Sequence, residues 1–226
     1  MCGFLGKISK DPFSTDKFEL ANEHNICRGP DAIKKIEGQF SELEYFESTS
    51  FYSFIFNRLS IIDLSDKAMQ PMISKEYKTM ILFNGEIYNH KELRDLLEKK
   101  GIKFETSHSD TEVLLNGLSY YGVSFTEKII GQFAIAFVDT KKEKLYLIRD
   151  RVGQKPLYYN LGINEASFSS NLKSLLKIND KQDIDDTQLI NYINFGVVPS
   201  PNALFKNIYK LEPGSILEID FSENQI

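Results

Sequence analysis

Four short apolar runs constrain the fold of this chain more than any other feature. They are rich in aromatic and β-branched residues and span 51–56, 79–83, 133–138 and 145–148. This composition over so few residues is typical of buried β-strands. The polar stretch 139–144 separates the last two runs and predicts a hairpin turn between them.

Two further segments predict helices that pack on such strands. Within residues 90–100 three leucines fall on one face, and Gly101 ends the segment. Residues 109–112 have the spacing of a helix-capping box and precede an apolar run. Ser109 is then the predicted cap, and Asp110 lies in the first turn, where the helix dipole favours a carboxylate. Several strands with two stacked helices predict an antiparallel α+β layered fold.

Cys2 is the clearest chemical signal, because it directly follows the initiator Met1 and precedes Gly3. A small second residue permits removal of the methionine, which would leave Cys2 with both a thiol and a free α-amine. An α-amine titrates at about 7.7–8.0, so near neutral pH part of it can accept the thiol proton. Cys2 is therefore a candidate nucleophile that carries its own base. When position 2 is considered alone, a cysteine placed there by chance is the alternative.

The composition is that of an ordinary globular protein and argues against several classes of function. The 226 residues are 42% hydrophobic and 26% charged, with a net charge of −5 and no cluster of Lys and Arg. Nucleic acid and membrane surfaces are therefore not predicted partners. No apolar stretch approaches the ~20 residues of a membrane span, and the N-terminus lacks the regions of a signal peptide. The two cysteines, Cys2 and Cys27, are too few for a disulfide scaffold, and we expect a cytoplasmic protein.

The character of the chain changes after about residue 180. Residues 183–186 are acidic and 187–195 predict a short helix. Several glycines and prolines then predict an irregular segment, which is followed by a predicted strand at 215–220. We expect residues 1–180 to form the principal domain and 181–226 to begin a connection to a further domain.

Three polar motifs are ordinary when each is considered alone. Residues 28–31 predict a tight turn, and 58–63 are typical of a strand with one basic residue. Asn84 and Gly85 follow a predicted strand and by themselves favour a hairpin turn. The order of these motifs behind Cys2 is more informative than any one of them.

In that order the motifs resemble one family over nearly the whole chain. Cys2, together with 28–31, 58–63, 84–89 and 109–112, resembles the glutaminase domain of class II glutamine amidotransferases, which are N-terminal-nucleophile hydrolases. The nearest subgroup is the asparagine synthetases that hydrolyse glutamine. Further matches are the segments 70–72, 131–134, 149–159, 168–170, 195–199 and 210–214. The resemblance implies a four-layer αββα fold in which two antiparallel sheets lie between helix layers.

The resemblance also implies the catalytic residues. Cys2 is the nucleophile that attacks the side-chain amide of glutamine. The Asn84 amide and the Gly85 backbone N–H form the oxyanion hole, and each is a donor suited to that task. A glycine at position 85 also lets the backbone approach the reacting carbon closely.

The implied substrate-binding residues are Arg58, Ile61, Ile62, Glu86 and Asp110. Arg58 holds the α-carboxylate of glutamine, for which its planar guanidinium is suited. Asp110 holds the α-ammonium. Glu86 and the backbone of Ile61 and Ile62 line the pocket. No metal is implied, and the sequence offers no pair of ligands at zinc-like spacing.

The implied partners extend beyond this chain. The sequence has no nucleotide- or pyrophosphate-binding loop, so no cofactor is expected here, and ATP and magnesium are expected only in a synthetase domain missing from this chain. Ammonia would pass to that domain, and a homodimer is left open. Amidotransferases that act on different acceptors share this glutaminase half. The acceptor of the ammonia could therefore also be a sugar or surface-polysaccharide precursor.

The candidate site residues bear on a third class of function and on the role of Cys27. A non-catalytic binding module with a decayed site is that third class, and the intact set of candidate residues argues against it.

Cys27 stands where the family commonly has a histidine before Arg28. We interpret this difference as a packing variation, and the competing interpretation is a second thiol that makes the site prone to oxidation.

Overall fold

The computed structural model describes residues 1–43, 46, 48–179 and 182–222. These residues form eleven strands and five α-helices. The strands are β1 (Gly3–Ser9), β2 (Ala32–Gln39), β3 (Phe51–Arg58), β4 (Met72–Ser74), β5 (Thr79–Ile87), β6 (Gly131–Asp139), β7 (Lys144–Arg149), β8 (Tyr158–Leu161), β9 (Glu165–Ser169), β10 (Tyr209–Lys210) and β11 (Ile216–Asp220). The helices are α1 (Asp16–Ile26), α2 (His90–Glu98), α3 (Asp110–Tyr121), α4 (Leu172–Ile178) and α5 (Asp186–Phe195).

The strands form two sheets in which every neighbouring pair is antiparallel. The first sheet has the order β10-β8-β9-β1-β3-β2, and the second has the order β11-β7-β6-β5-β4. Strand β1 therefore lies inside the first sheet, and β5 lies inside the second. The residues just before β1 and within β5 can then face each other across the gap between the sheets.

Three hydrophobic clusters hold the layers together. The cluster between the two sheets contains Phe4 and Phe54 from the first sheet and Leu82 and Ala136 from the second. Helices α2 and α3 cover the outer face of the second sheet, and α1 and α4 cover the outer face of the first. Burial of apolar side chains on both faces of each sheet supplies the main driving force for this arrangement. The predicted four-layer αββα fold is confirmed.

The predicted elements agree with the structure except near the candidate site. The four apolar runs lie in strands, the predicted strand at 215–220 is present as β11, and the 139–144 turn and the predicted helices are present. The interpretation of 58–63 as a strand was wrong, because β3 ends at Arg58 and the following residues form a loop. Asn84 and Gly85 do not form a hairpin turn either, since both lie inside β5 and pair with β6.

The segment after residue 180 contributes to both sheets. Strand β10 pairs with β8, and β11 pairs with β7 along its full length. The predicted domain boundary at residues 180 and 181 lies outside the described residues, and the division of the chain there stays a prediction. No helix in the described part of the chain has the length and apolar character needed to cross a membrane.

Candidate active site

A single cavity brings together all the predicted catalytic and substrate-binding residues, whereas Cys27 is exposed outside it. It has a volume of about 230 Å³ and lies where the loop after β3, the end of β5 and the start of α3 meet. The predicted site residues that line it are Cys2, Arg58, Ile61, Ile62, Asn84, Gly85, Glu86 and Asp110. These residues come from four separate parts of the sequence, so the fold alone makes them neighbours.

Cys2 lies immediately before β1 and is held by its backbone and its sulfur. The Leu59 N–H donates to Sγ at 3.3 Å, and Nε of Arg28 donates to the Cys2 carbonyl at 3.2 Å. Burial raises the pKa of the Cys2 thiol, and the negative charge of Asp110 acts in the same direction. The hydrogen bond from Leu59, the chain's amino terminus and Arg58 oppose that shift of the pKa. Because Met1 precedes it, the Cys2 nitrogen is part of a peptide bond.

Asn84 carries the most unusual polar group in the cavity. Its side chain is fully buried, and neither Nδ2 nor Oδ1 has a hydrogen-bond partner within the described residues. Leaving a buried amide without partners costs about 1–3 kcal/mol, so such groups are rare and call for an explanation. An unpaired amide in the same cavity as a thiol can donate to a negatively charged oxygen that forms during a reaction.

Gly85 follows Asn84 in β5 at a point where the sheet is tightly packed. A Cβ at this position would lie 2.1 Å from the carbonyl oxygen of Gln132 and 2.8 Å from Cα of Phe133 on the neighbouring strand. Packing against β6 therefore requires a glycine here, independently of any approach to a substrate.

Arg58 ends β3 and organises the loop that follows it. Its Nη1 donates to the carbonyl of Ser65 at 2.9 Å, and its Nη2 donates to the carbonyl of Asp63. The side chain is buried against the cavity. A guanidinium has five N–H groups, so N–H donors remain for a carboxylate after these two bonds are made.

Asp110 begins α3 and is also buried. Its Oδ2 accepts from the Ile87 N–H at 3.2 Å, and burial raises the pKa of this carboxyl to about 6. Ser109 caps the helix as predicted, because its Oγ accepts from the Glu112 N–H at 3.3 Å. The reciprocal half of the capping box is absent, since the Glu112 carboxylate instead accepts from the backbone N–H groups of Glu105 and Thr106.

The remaining predicted residues form the open side of the cavity. Ile61 is 72% exposed, and Glu86 is exposed near the end of β5. Ile62 is half-buried in the same loop as Ile61. The loop is tied back to the protein where the Ser60 N–H donates to Oδ2 of Asp31 at 2.7 Å. A ligand could therefore enter between this loop and the end of β5.

Sequence reasoning assigned no role to several residues that line the cavity. Gln70 is buried, its Oε1 accepts from the Phe83 N–H at 2.6 Å, and its Nε2 donates to Oγ1 of Thr111 at 3.2 Å. Gln70 thus joins β5 to α3 beneath the site. Gln132 and Lys155 also line the cavity. All three belong to segments that matched the family, and that match was the signal that could have identified them.

The arrangement supplies the components of an acyl-transfer site. A thiol, an unpaired amide donor, a buried guanidinium and a buried carboxylate face one small cavity. The two charged groups suit a zwitterionic amino acid, and the thiol and amide suit attack on a carbonyl group with stabilisation of the resulting oxyanion. Within the described residues, no group of three or more His, Cys, Asp or Glu side chains could hold a metal ion.

Comparison with known proteins identifies relatives along the whole chain. The family model for the glutamine amidotransferase domain matches residues 1–226. Asparagine synthetase [glutamine-hydrolyzing] 1 of Bacillus subtilis is 39% identical over 220 residues, which are 95% of this chain and 33% of that protein. Asparagine synthetase [glutamine-hydrolyzing] 2 of the same organism is 33% identical over 232 residues, covering 100% of this chain and 30% of that protein.

Solved structures show the same fold at lower sequence similarity. A glutamine phosphoribosylpyrophosphate amidotransferase from B. subtilis superposes with a TM-score of 0.60 at 19% identity, over 97% of this chain and 47% of that one. A structure described as the allosteric regulatory enzyme of purine biosynthesis gives a TM-score of 0.63 at 18% identity, with the same coverage. The chain spans about a third of the length of the two synthetases. The family match over its full length shows that the chain belongs to the glutamine amidotransferase domain family.

Proposed function

We propose that this chain hydrolyses the side-chain amide of glutamine to give glutamate and ammonia, with Cys2 as the nucleophile after Met1 is removed. The observation that carries the proposal is the buried, unpaired amide of Asn84 in the same cavity as the Cys2 thiol. A catalytic role is one explanation for a buried polar group without a partner, and the position of Asn84 in the same cavity as a thiol favours it. Because Cys2 must stay reduced, the cytoplasm is the proposed compartment.

The proposed reaction proceeds in two stages. The Cys2 α-amine accepts the thiol proton, the thiolate attacks the amide carbon to form a C–S bond, and the carbonyl electron pair moves to the oxygen. The Asn84 amide and the Gly85 N–H donate to that oxyanion. The C–N bond then breaks as the Cys2 α-ammonium gives its proton to the leaving nitrogen, which departs as ammonia. Water attacks the thioester, the C–S bond breaks, and glutamate and the free thiol are released.

The charged residues of the cavity hold the amino-acid end of glutamine in this proposal. Arg58 uses its remaining N–H donors for the α-carboxylate, and Asp110 in its ionised form accepts from the α-ammonium. Glu86 and the backbone of Ile61 and Ile62 complete the pocket. The burial of Arg58 and Asp110 supports this assignment, because ion pairs with a substrate are stronger in a site that excludes water.

We further propose that the ammonia is used in the synthesis of asparagine. The names of the two Bacillus relatives, and their threefold greater length, support a synthetase domain as the partner that receives ammonia. ATP and magnesium would act in that domain, and no step in this chain runs through them.

The proposal is tested by measuring glutamate release from glutamine by the purified chain. Cys2→Ala should abolish release, whereas Cys27→Ala, which removes the other thiol, should leave it intact. Mass spectrometry of the acid-quenched wild-type reaction should detect a γ-glutamyl adduct on the peptide that contains Cys2. Glutamate release by a folded Cys2→Ala protein would show that the nucleophile is a different group.

A further inference from the structure

Lys155 is a cation of the cavity wall that the proposed mechanism does not use. It is 7% exposed, yet within the described residues its ammonium forms no ion pair and no hydrogen bond. Lys7 is equally buried and differs in this respect, because its Nζ lies 2.6 Å from the carboxylate of Glu165. An ammonium without a partner in the wall of this cavity is available to interact with negative charge that forms on the Cys2 thiol.

The backbone of Lys155 is fixed on both sides. Its N–H donates to Oδ2 of Asp150 at 3.1 Å, and its carbonyl accepts from Nε of Arg149 at 2.8 Å. The Asp150 carboxylate also accepts from the N–H groups of Phe133, Val152 and Gln154. This network gives the Lys155 side chain a defined starting point at the cavity wall. Such rigid support is typical of residues whose placement matters for function.

The charges around the cavity show which group Lys155 can influence. Burial lowers the pKa of Lys155, and the neighbouring Arg28 lowers it further, while Asp150, Glu86 and Cys2 favour the charged form. Because Lys155 and Cys2 line the same cavity, the positive charge of the ammonium can stabilise negative charge on the Cys2 sulfur.

Cys2 needs such support once glutamine is bound. Burial and the negative charge of Asp110 both disfavour the Cys2 thiolate, whereas the positive charge of Arg58 favours it. In the proposed complex Arg58 is engaged by the substrate carboxylate, so its positive charge is partly neutralised. Lys155 is then the lining cation that has no partner of its own within the described residues.

We propose that Lys155 is a positioning residue that stabilises the negative charge on the Cys2 sulfur, and on the tetrahedral intermediate, across the cavity without bonding to the sulfur. The inference rests on the proposed function. It predicts that the charge at position 155, rather than the packing of its hydrocarbon chain, determines how easily Cys2 becomes a thiolate.

The test measures the rate at which iodoacetamide alkylates Cys2 from neutral to alkaline pH, with peptide mass spectrometry to separate Cys2 from Cys27. Lys155→Met should move the midpoint of the profile upward by roughly one pH unit and lower kcat/KM for glutamine about tenfold. Lys155→Arg, which keeps the charge, should restore both values. Lys173→Met removes an exposed lysine on α4 and should behave like the wild type.

The outcomes separate this inference from the proposed function. An unchanged alkylation profile in folded Lys155→Met, or an equal shift in Lys155→Arg, would overturn the role of Lys155 and leave the assignment of Cys2 untouched. If Lys155→Met does not fold, Lys155→Gln replaces it under the same criteria. Alkylation does not depend on turnover, so the test of Lys155 remains decisive even if the chain does not hydrolyse glutamine.

Discussion

The backbone N–H of Leu59 donates a hydrogen bond to Sγ of Cys2 at 3.3 Å. Leu59 is the first residue after β3 and directly follows Arg58, whose guanidinium holds the carbonyls of Asp63 and Ser65. The proposed nucleophile, Cys2, and the loop over the cavity are therefore connected through two adjacent residues, Leu59 and Arg58. A change in the loop should alter the reactivity of the thiol as well as the binding of substrate.

Arg58→Lys should raise the KM for glutamine and loosen this loop at the same time. A lysine ammonium is a point charge and cannot hold two loop carbonyls and a carboxylate with the geometry of a guanidinium. Hydrogen exchange at residues 59–65 should become faster, while exchange in β6 should stay unchanged. A variant that binds glutamine normally would place the carboxylate site elsewhere in the cavity.

Asn84→Ala should lower the turnover number strongly without a matching loss of folding stability. Loss of one oxyanion donor typically lowers turnover by about 10²–10³-fold, so kcat should fall far more than KM rises. The same change removes two buried polar atoms that lack partners, so the free energy of unfolding should not decrease through lost hydrogen bonds. Steady-state kinetics and thermal unfolding measure the two effects. A rise in KM alone would contradict the role of Asn84.

Asp110 should make both stability and glutamine binding depend on pH. Its pKa in the folded protein is about 6, above the ordinary value of 3.8. The unfolded chain therefore loses this proton first, and stability should fall as the pH rises from about 4 to 6. Two units of pKa correspond to roughly 3 kcal/mol. Asp110→Asn should abolish this contribution, which denaturant unfolding at several pH values would measure.

Glutamine binding should show the opposite dependence on the same group. The ionised carboxylate attracts the α-ammonium, so the KM of the wild type should rise as the pH falls below about 6. In Asp110→Asn the KM should be high at every pH. A normal KM in this variant, with a modest loss of melting temperature, would instead indicate that Asp110 serves only its own helix.

Blocking the removal of Met1 should abolish turnover without removing the thiol. Insertion of a lysine between Met1 and Cys2 keeps the Cys2 nitrogen in a peptide bond, so no α-amine is available to transfer the proton. We expect iodoacetamide still to modify Cys2 while glutamate release is lost. Turnover close to that of the processed protein would show that another group acts as the base.

The regular elements could be predicted from the sequence because their signals are local. The apolar run 133–138 and the leucines of α2 show a strand or helix periodicity within a few residues. Ser109 is a typical N-cap residue and predicts the start of α3. Strands β1 and β2 and helices α1 and α4 received no prediction. Their packing is decided by neighbours far along the chain, as in the pairing of β1 with β3 and β9.

The candidate site followed from the order of motifs rather than from their local conformation. Asn84 and Gly85 have the residue types of a turn, yet they lie in a strand because they pair with β6. Position 85 is a glycine because the backbone of β6 leaves no room for a Cβ there. The interactions of Gln70 and the unpaired state of Lys155 depend on residues distant in the sequence. No local pattern could have revealed either of them.

The pairing of β10 and β11 sets limits on how the protein can be shortened. A protein ending at residue 180 would leave β7 with an unpaired edge and would lose Leu211 and Phe221, both of which are buried between the sheets. Unpaired edges recruit strands from other molecules, so such a fragment should self-associate. Leu211 and Phe221 are therefore constrained as core residues, and polar substitutions at these two positions should be tolerated as poorly as those inside β1.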